Sequence, residues 1–250
     1  MRKFGLIGFP LAHSFSQKYF IEKFAREHIT DCSYENFPLE SIDHLPELLN
    51  DNPDLCGLNV TIPYKNEVLN FINVKEPVVN EIDAANVLKI KRVNDKIQIY
   101  GFNSDIIGIM DSIQPFFTDK VRDALVFGTG GSSGAVAWVL KKLGINVILV
   151  SRNRKPGIIN YQDISQKLLS RTDLIVNTTP LGMFPDISTK PEINYDLLNK
   201  KHILFDLVYN PEITSFLKEG KERGCKIITG LKMLYSQADR SWEIWNNNNL

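Results

Sequence analysis

Cysteine is scarce in this 250-residue chain: Cys32, Cys56 and Cys225 make an odd number without metal-ligand spacing. Such a set excludes a disulfide framework and fits a reducing compartment with buried, inert thiols. The four histidines form no spaced pair, so no metal site is expected. Neither sign of charge is in excess. A formal net charge of zero gives no electrostatic reason for nucleic acid or an anionic membrane to be the main partner. No apolar run approaches the roughly 20 residues of a membrane span. In the opening stretch, MRKFGLIGFPLAHS, proline, histidine and serine interrupt the apolar residues too early for a signal peptide. The expectation is a soluble, cytoplasmic protein of one large or two modest domains. There is no internal repeat, and the one low-complexity run, Asn246 to Asn249, reads as a frayed terminus.

What is present centres on residues 124–155, ALVFGTGGSSGAVAWVLKKLGINVILVSRNRK, which read as strand, glycine loop, helix and strand. Gly128, Gly130 and Gly131 remove every Cβ where the chain must turn sharply and a pyrophosphate must approach the backbone. Ala135, Val136, Val139, Leu140 and Leu143 then recur with helical spacing, Gly144 stops the run, and Asn146 to Val150 resumes as a β-branched strand. Phosphate would sit on the helix N-terminus, where free N–H groups and the dipole favour an anion. An NAD site would carry a carboxylate after the second strand. This chain instead offers Ser151, Arg152, Asn153, Arg154 and Lys155, a cluster suited to a 2′-phosphate, so the expected cofactor is NADP.

Upstream, the spacing predicts strand Phe4 to Gly8, helix Ser14 to His28, strand Ser33 to Leu39, helix Ser41 to Asn50, strand Leu55 to Ile62 and short helix Glu67 to Ile72. Ala85 to Lys91 and Lys96 to Phe102 read as an antiparallel hairpin around Asn94-Asp95 at the edge of a sheet. A helix from Ile106 to Ile113 leads into the glycine-loop strand. Further strands are expected at Leu174 to Asn177, Ile203 to Val208 and Lys226 to Thr229, and a last helix at Leu231 to Trp245 with Leu231, Leu234, Tyr235, Ala238, Trp242 and Trp245 on one face. In open parallel sheets ligands bind beyond the carboxyl ends of the strands, which here carry Gly128 to Gly131, Ser151 to Arg154, Thr178 to Met183, Tyr209 to Pro211 and Gly230.

Three constellations in the first half could carry chemistry. His13-Ser14-Phe15-Ser16 places two hydroxyls near a helix start, for a carboxylate or as caps. In NVTIPYK, Asn59 and Thr61 fall on one side of an extended chain, and Pro63 turns it to present Lys65, a residue that in such a turn is usually just solvated. Asp105 falls in a helix first turn, where a carboxylate is favoured with or without a catalytic role.

The chain resembles the shikimate dehydrogenase family (the shikimate/quinate dehydrogenases) through eight motifs in family order: GFPLAHSFS at 8–16, NVTIPYK at 59–65, AANVL at 84–88, GFNSDIIG at 101–108, GTGGSSGA at 128–135, NTTPLGM at 177–183, DLVYNP at 206–211 and GLKMLYSQA at 230–238. The resemblance implies a two-lobed α/β fold. An N-terminal α/β substrate domain with a mostly parallel sheet, residues 1–103 completed by the helix at 231–250, joins a Rossmann-type NADP domain at 104–230, with the active-site cleft between them. It implies NADPH-dependent, reversible reduction of 3-dehydroshikimate to shikimate by a monomer or homodimer. Ser14 and Ser16 would hold the substrate carboxylate, and Asn59, Thr61, Asn86, Tyr209 and Gln237 the rest of the ring or its surroundings. Lys65 and Asp105 would handle the proton. Gly128, Thr129, Gly130, Gly131 and Ser132 would bind the phosphates, Ser151 to Arg154 the 2′-phosphate, and Thr178, Leu207, Gly230 and Met233 the rest of the cofactor on its nicotinamide side. Alternatives are a quinate/shikimate or aminoshikimate dehydrogenase and a non-catalytic NADP-binding sensor; Lys65 and Asp105 speak against the last. The chain departs from the family pattern at Gln17, at Tyr19-Phe20, at Asp83-Ala84-Ala85-Asn86-Val87 where Gly-Ala-Val-Asn-Thr is usual, at Ser104 and at Ser132. Asp83 is expected to bear on substrate choice through a charge near Asn86.

Overall fold

The structure is a computed structural model that describes residues 1–11, 14–94, 96–117 and 121–247. His13 of the two-serine stretch, Asp95 of the expected hairpin turn and the end of the asparagine run lie outside them. The chain forms two compact units, residues 1–104 with 238–250 and residues 105–237.

The first unit runs β1 (Arg2–Gly8), α1 (Phe15–Arg26), β2 (Cys32–Pro38), a 3₁₀ turn into α2 (Leu45–Asp51), β3 (Leu55–Val60), a 3₁₀ turn at Glu67–Phe71, β4 (Val74–Lys75), α3 (Pro77–Ile82), β5 (Val87–Val93) and β6 (Lys96–Phe102). Its sheet has the order β2-β1-β3-β5-β6-β4. The first three strands are parallel and β5 pairs antiparallel with both β3 and β6. The hairpin is therefore interior, because β4 adds itself parallel to β6 and takes the edge. Two residues are too few to show any periodicity, so β4 is invisible to a pattern search.

Side chains alternate across this sheet and bury two cores. Ile7, Leu45, Leu58 and Leu88 fill one face. Phe4, Phe20, Tyr34 and Trp245 fill the other, with Phe20 stacked on Tyr34 at 4.4 Å. The substitution Tyr19-Phe20 thus does structural duty: Phe20 joins the aromatic core, and the Tyr19 hydroxyl donates to Asp239 at 2.5 Å. Lys23 adds a hydrogen bond to the same carboxylate at 2.9 Å, fastening α1 to the last helix.

The second unit runs α4 (Asp105–Ile113), β7 (Asp123–Phe127), α5 (Gly131–Lys142), β8 (Asn146–Ser151), β9 (Ile158–Asn160), α6 (Gln166–Arg171), β10 (Leu174–Asn177), β11 (Ile203–Asp206), α7 (Ser215–Glu222), β12 (Lys226–Ile228) and α8 (Gly230–Asn246). Its six strands are all parallel in the order β12-β11-β10-β7-β8-β9. Counted from β7, that is the doubly wound order 3-2-1-4-5-6, whose direction of winding reverses between β7 and β10. Leu125, Phe127, Ile175, Leu204 and Phe216 form its core.

The division between the units falls inside α8. Met233 serves the second unit: a Cβ on Gly108 of α4 would lie 2.6 Å from the Met233 carbonyl oxygen, so the two backbones nearly touch. From Ala238 onward the helix serves the first unit, where Ala238, Ile244 and Trp245 join the aromatic core. Tyr235, expected on the buried face, is 41% exposed. A helix that changes partners midway cannot keep one unbroken apolar stripe.

Candidate functional site

In the first unit, the expected substrate residues gather at the carboxyl ends of β1 and β3. Ser14 flanks the start of α1, but its hydroxyl makes no capping hydrogen bond; it is buried and has no partner among the described residues. Helix capping therefore does not account for it, and an anionic ligand oxygen would satisfy it. Ser16 hydrogen-bonds the buried Tyr34 phenol, which burial pushes well above its ordinary pKa. Tyr34 donates in turn to Asn59 Oδ1 at 2.8 Å, and Asn59 Nδ2 donates to Ser241 Oγ at 2.8 Å. Both ends of the Asn59 amide are thus engaged within the unit.

Thr61 is anchored by its N–H to the Ile7 carbonyl at 2.9 Å. A turn over 62–66 follows and carries Lys65, whose carbonyl accepts from the Ala85 N–H at 2.8 Å. That bond ties the lysine turn to the segment bearing Asn86. Asn86 is buried; its Oδ1 accepts from the Ser104 N–H at 2.7 Å and its Nδ2 donates to Ser104 Oγ at 3.0 Å. Ser104 precedes Asp105, the first residue of α4, which is also buried. Asp83 occupies the left-handed conformation at the C-cap of α3 with φ 59°, and its side chain is exposed. The family's glycine suits that backbone, and aspartate is one of the few other residues that tolerate it.

In the second unit, the glycine loop leaves β7 beside the point where the sheet reverses. Gly128 has φ 110°, and a Cβ there would lie 2.5 Å from Thr178 Oγ1, so both conformation and space demand glycine. Thr178 donates to the Phe127 carbonyl at 2.5 Å and meets Ser133 Oγ at 2.6 Å, latching the loop to the end of β10. Thr129 and Gly130 are exposed, and Gly130 caps α5 with no side-chain hydrogen bond. They lead into Gly131 and Ser132, the first residues of a 12-residue helix, and the loop and helix start together make a cradle that fits a pyrophosphate.

Ser151 ends β8, and 152–157 return the chain to β9 in a connection too short for a crossover helix. Arg152, Asn153, Arg154 and Lys155 lie exposed on it. Arg154 is paired with Asp163, while the Arg152 guanidinium has no hydrogen bond or ion pair among the described residues. Arg152 and Lys155 are the cations of this loop that have no ion pair among the described residues, and Arg152 lies nearer the end of β8.

Leu207 and Gly230 come together on the remaining side, and Met233 follows Gly230 in α8. The Leu207 N–H donates to the Asn177 carbonyl at 3.0 Å, and a Cβ on Gly230 would sit 2.4 Å from the Leu207 carbonyl oxygen. Tyr209 follows, half-buried, and Gln237 lies within α8, donating to the Leu234 carbonyl at 3.0 Å.

Sequence reasoning missed the group beneath this side. Asp206 is fully buried; Oδ1 accepts from Asn177 Nδ2 and from the Val208 N–H, each at 3.0 Å, and Oδ2 accepts from Thr214 Oγ1 at 2.6 Å. Asn177 Oδ1 in turn accepts from the Thr179 N–H and hydroxyl at 3.1 and 2.6 Å. The available signal was a polar residue ending each of two apolar runs, and the register pairs those residues, Asn177 with Asp206. Among the described residues no group of three or more His, Cys, Asp or Glu could hold a metal ion. Among the same residues, no helix is long and apolar enough to cross a membrane.

Residues 6–88 match the family model for the shikimate dehydrogenase substrate binding domain. The shikimate dehydrogenase (NADP(+)) of Methanococcus aeolicus is 36% identical over 258 residues, covering 96% of this chain and 90% of that protein. The crystal structure of shikimate 5-dehydrogenase from Thermus thermophilus in complex with NADP(H) and shikimate superposes with a TM-score of 0.85 at 28% identity, covering 98% of this chain and 94% of that one. Shikimate dehydrogenase from Aquifex aeolicus gives a TM-score of 0.84 at 30% identity over 98% and 92% of the two chains.

Proposed function

We propose, from the premise that this chain belongs to the shikimate dehydrogenase family, that it interconverts 3-dehydroshikimate and shikimate with NADPH, in the chorismate and aromatic amino-acid pathway. The observation that carries this reading is the likeness to an NADP(+)-dependent enzyme over 96% of the chain, which takes in both units. The buried Ser14 hydroxyl, without a partner among the described residues, and the latched glycine loop support it from the geometry. We assign the first unit to the substrate and the second to the cofactor, and place the reaction in the cytoplasm, in a monomer or homodimer.

NADPH supplies the hydride that reduces the ketone carbon. The backbone N–H groups of Gly128 to Ser132 hold its phosphates, and Arg152, flanked by Ser151, Asn153 and Arg154, holds the 2′-phosphate. Thr178, Leu207, Gly230 and Met233 orient its nicotinamide side. Ser14 and Ser16 bind the substrate carboxylate, and Thr61, Asn86, Tyr209 and Gln237 its ring, with Asn59 behind them. As the ketone carbon gains hydride its oxygen becomes an alkoxide, and the Lys65 ammonium gives it a proton. Asp105 favours that charged lysine, and in the reverse direction the pair takes the proton back.

Nicotinamide absorbance tests this directly: the protein is mixed with shikimate and NADP⁺, with shikimate and NAD⁺, and with quinate. Reduction with shikimate and NADP⁺ alone is expected. Turnover of quinate would change the substrate, and no turnover despite NADP⁺ binding would leave a nucleotide-binding sensor. Lys65→Ala should cut turnover by about a hundredfold or more while NADP⁺ affinity holds, as removal of a general acid does. Near-normal turnover would remove Lys65 from the mechanism.

A further inference from the structure

We propose that Asp206 is a positioning residue for this reaction, holding the two strand-end segments that carry Thr178, Leu207 and Tyr209 in one arrangement. The inference rests on the reading above, which places those residues against the nicotinamide and the substrate. Two other pieces of chain converge on the carboxyl group, the end of β10 through Asn177 and the start of α7 through Thr214, and the carboxyl also holds its own following segment through the Val208 N–H. Among the described residues every hydrogen bond to the carboxyl is donated to it, and none comes from a lysine or arginine.

Its reach extends one residue further on each side. Asn177, oriented by Asp206, accepts two hydrogen bonds from Thr179 and donates a third to the Leu181 carbonyl at 3.2 Å, which shapes the turn after Thr178. The Val208 N–H, fixed by Asp206, sits between Leu207 and Tyr209. The close approach of Gly230 to the Leu207 carbonyl presses the same segment from the other side. A carboxylate that serves only to hold a fold has no need to bridge two strand ends at the side of the sheet where ligands bind.

Arg152 makes no hydrogen bond to the Asp206 carboxyl among the described residues, whereas Thr178 also latches the glycine loop, so turnover should fall much further than nucleotide affinity. Asp206→Ala is expected to lower kcat by about tenfold or more while the NADP⁺ dissociation constant stays within about threefold, since small misplacement at the reacting centre is costly. Asp206→Asn keeps an acceptor for Asn177 and Val208 and offers Thr214 a donor, so it should recover kcat to within about fivefold of the native protein. Asn177→Ala, which breaks the bridge without touching Asp206, should repeat the Asp206→Ala pattern and serves in its place if that variant does not fold. A kcat unchanged per folded molecule in either alanine variant would overturn the inference. So would a nucleotide affinity that falls as far as kcat does. Shikimate oxidation by the native chain is the control: its absence would remove the functional reading and this inference with it, whereas its presence with undisturbed variants would remove the inference alone.

Discussion

Desolvation pushes the Asp206 carboxyl up to about 7, although hydrogen bonds from Thr214, Val208 and Asn177 all favour the anion. Its folded pKa lies above its unfolded one, so between about pH 4 and pH 7 the folded state holds a proton that the unfolded state has lost. Stability conferred by this group is therefore greatest below pH 4, falls through that window and is lowest above about 7, by roughly 4 kcal/mol at the 1.36 kcal/mol per unit of linkage. Asp163 and Glu219, held below the usual carboxylate range chiefly by a backbone hydrogen bond from Asn160 and by Lys190 respectively, act in the opposite sense. The difference between native protein and Asp206→Asn isolates the one group: urea unfolding at pH 5 and pH 8 should show the native protein losing ground to the variant as pH rises. Arg152 gives a second test of this kind. Because its guanidinium is exposed and has no partner among the described residues, Arg152→Ala should leave stability untouched and weaken NADP⁺ binding by about tenfold to a hundredfold, the worth of a charge-assisted contact, with NAD⁺ little changed. Equal losses for the two nucleotides would put the 2′-phosphate elsewhere.

Among the elements, α8 shows best what packing adds to pattern. Trp245 is buried near its end, stacked on Phe4 at 4.7 Å, and donates from Nε1 to the Leu88 carbonyl at 3.0 Å. It lies directly against β3, where a Cβ on Gly57 would fall 2.3 Å from the indole nitrogen. Lys89, itself buried, caps the helix by donating to the Ile244 carbonyl at 3.1 Å and to that of Asn247. Trp245→Ala should therefore cost about 3–5 kcal/mol of stability, checked by chemical denaturation. Long strands and helices with a clean period, such as β1, β3, α1 and the β7-α5-β8 unit, were legible in the sequence because one buried face dictates their spacing. Some short elements were not. β9, α3, α6 and α7 are set by their partners and caps, as when Thr214 accepts from the Leu217 N–H to start α7, whereas the equally short β10, β11 and β12 were expected because each carries an apolar run.

At the scale of the molecule, the α/β architecture followed from strands alternating with helices, and the doubly wound order of the second sheet agrees with the glycine loop that pointed to it. The glycine loop and the basic cluster after β8 could be named because unusual residues follow apolar runs, whereas Asn86, Gln237 and Met233 were named only through the resemblance to the family. Their supports could not be, because Tyr34, Ser241 and Asp206 act through hydrogen bonds between segments 8 to 182 residues apart, as Thr214 to Asp206 and Asn59 to Ser241 show. Composition does not record such pairings; only the folded register brings Asn177 beside Asp206.

The first unit takes residues 1–104 and then waits for 238 onward. A ribosome makes the chain in the opposite sense of that need: it delivers Phe4, Phe20 and Tyr34 first and the indole rings that cover them last. At ordinary elongation speeds the gap is on the order of ten seconds, long compared with the folding of a domain of this size. Throughout that interval the nascent first unit carries an uncovered aromatic face, while the whole of the second unit, residues 105–237, emerges and can close before it.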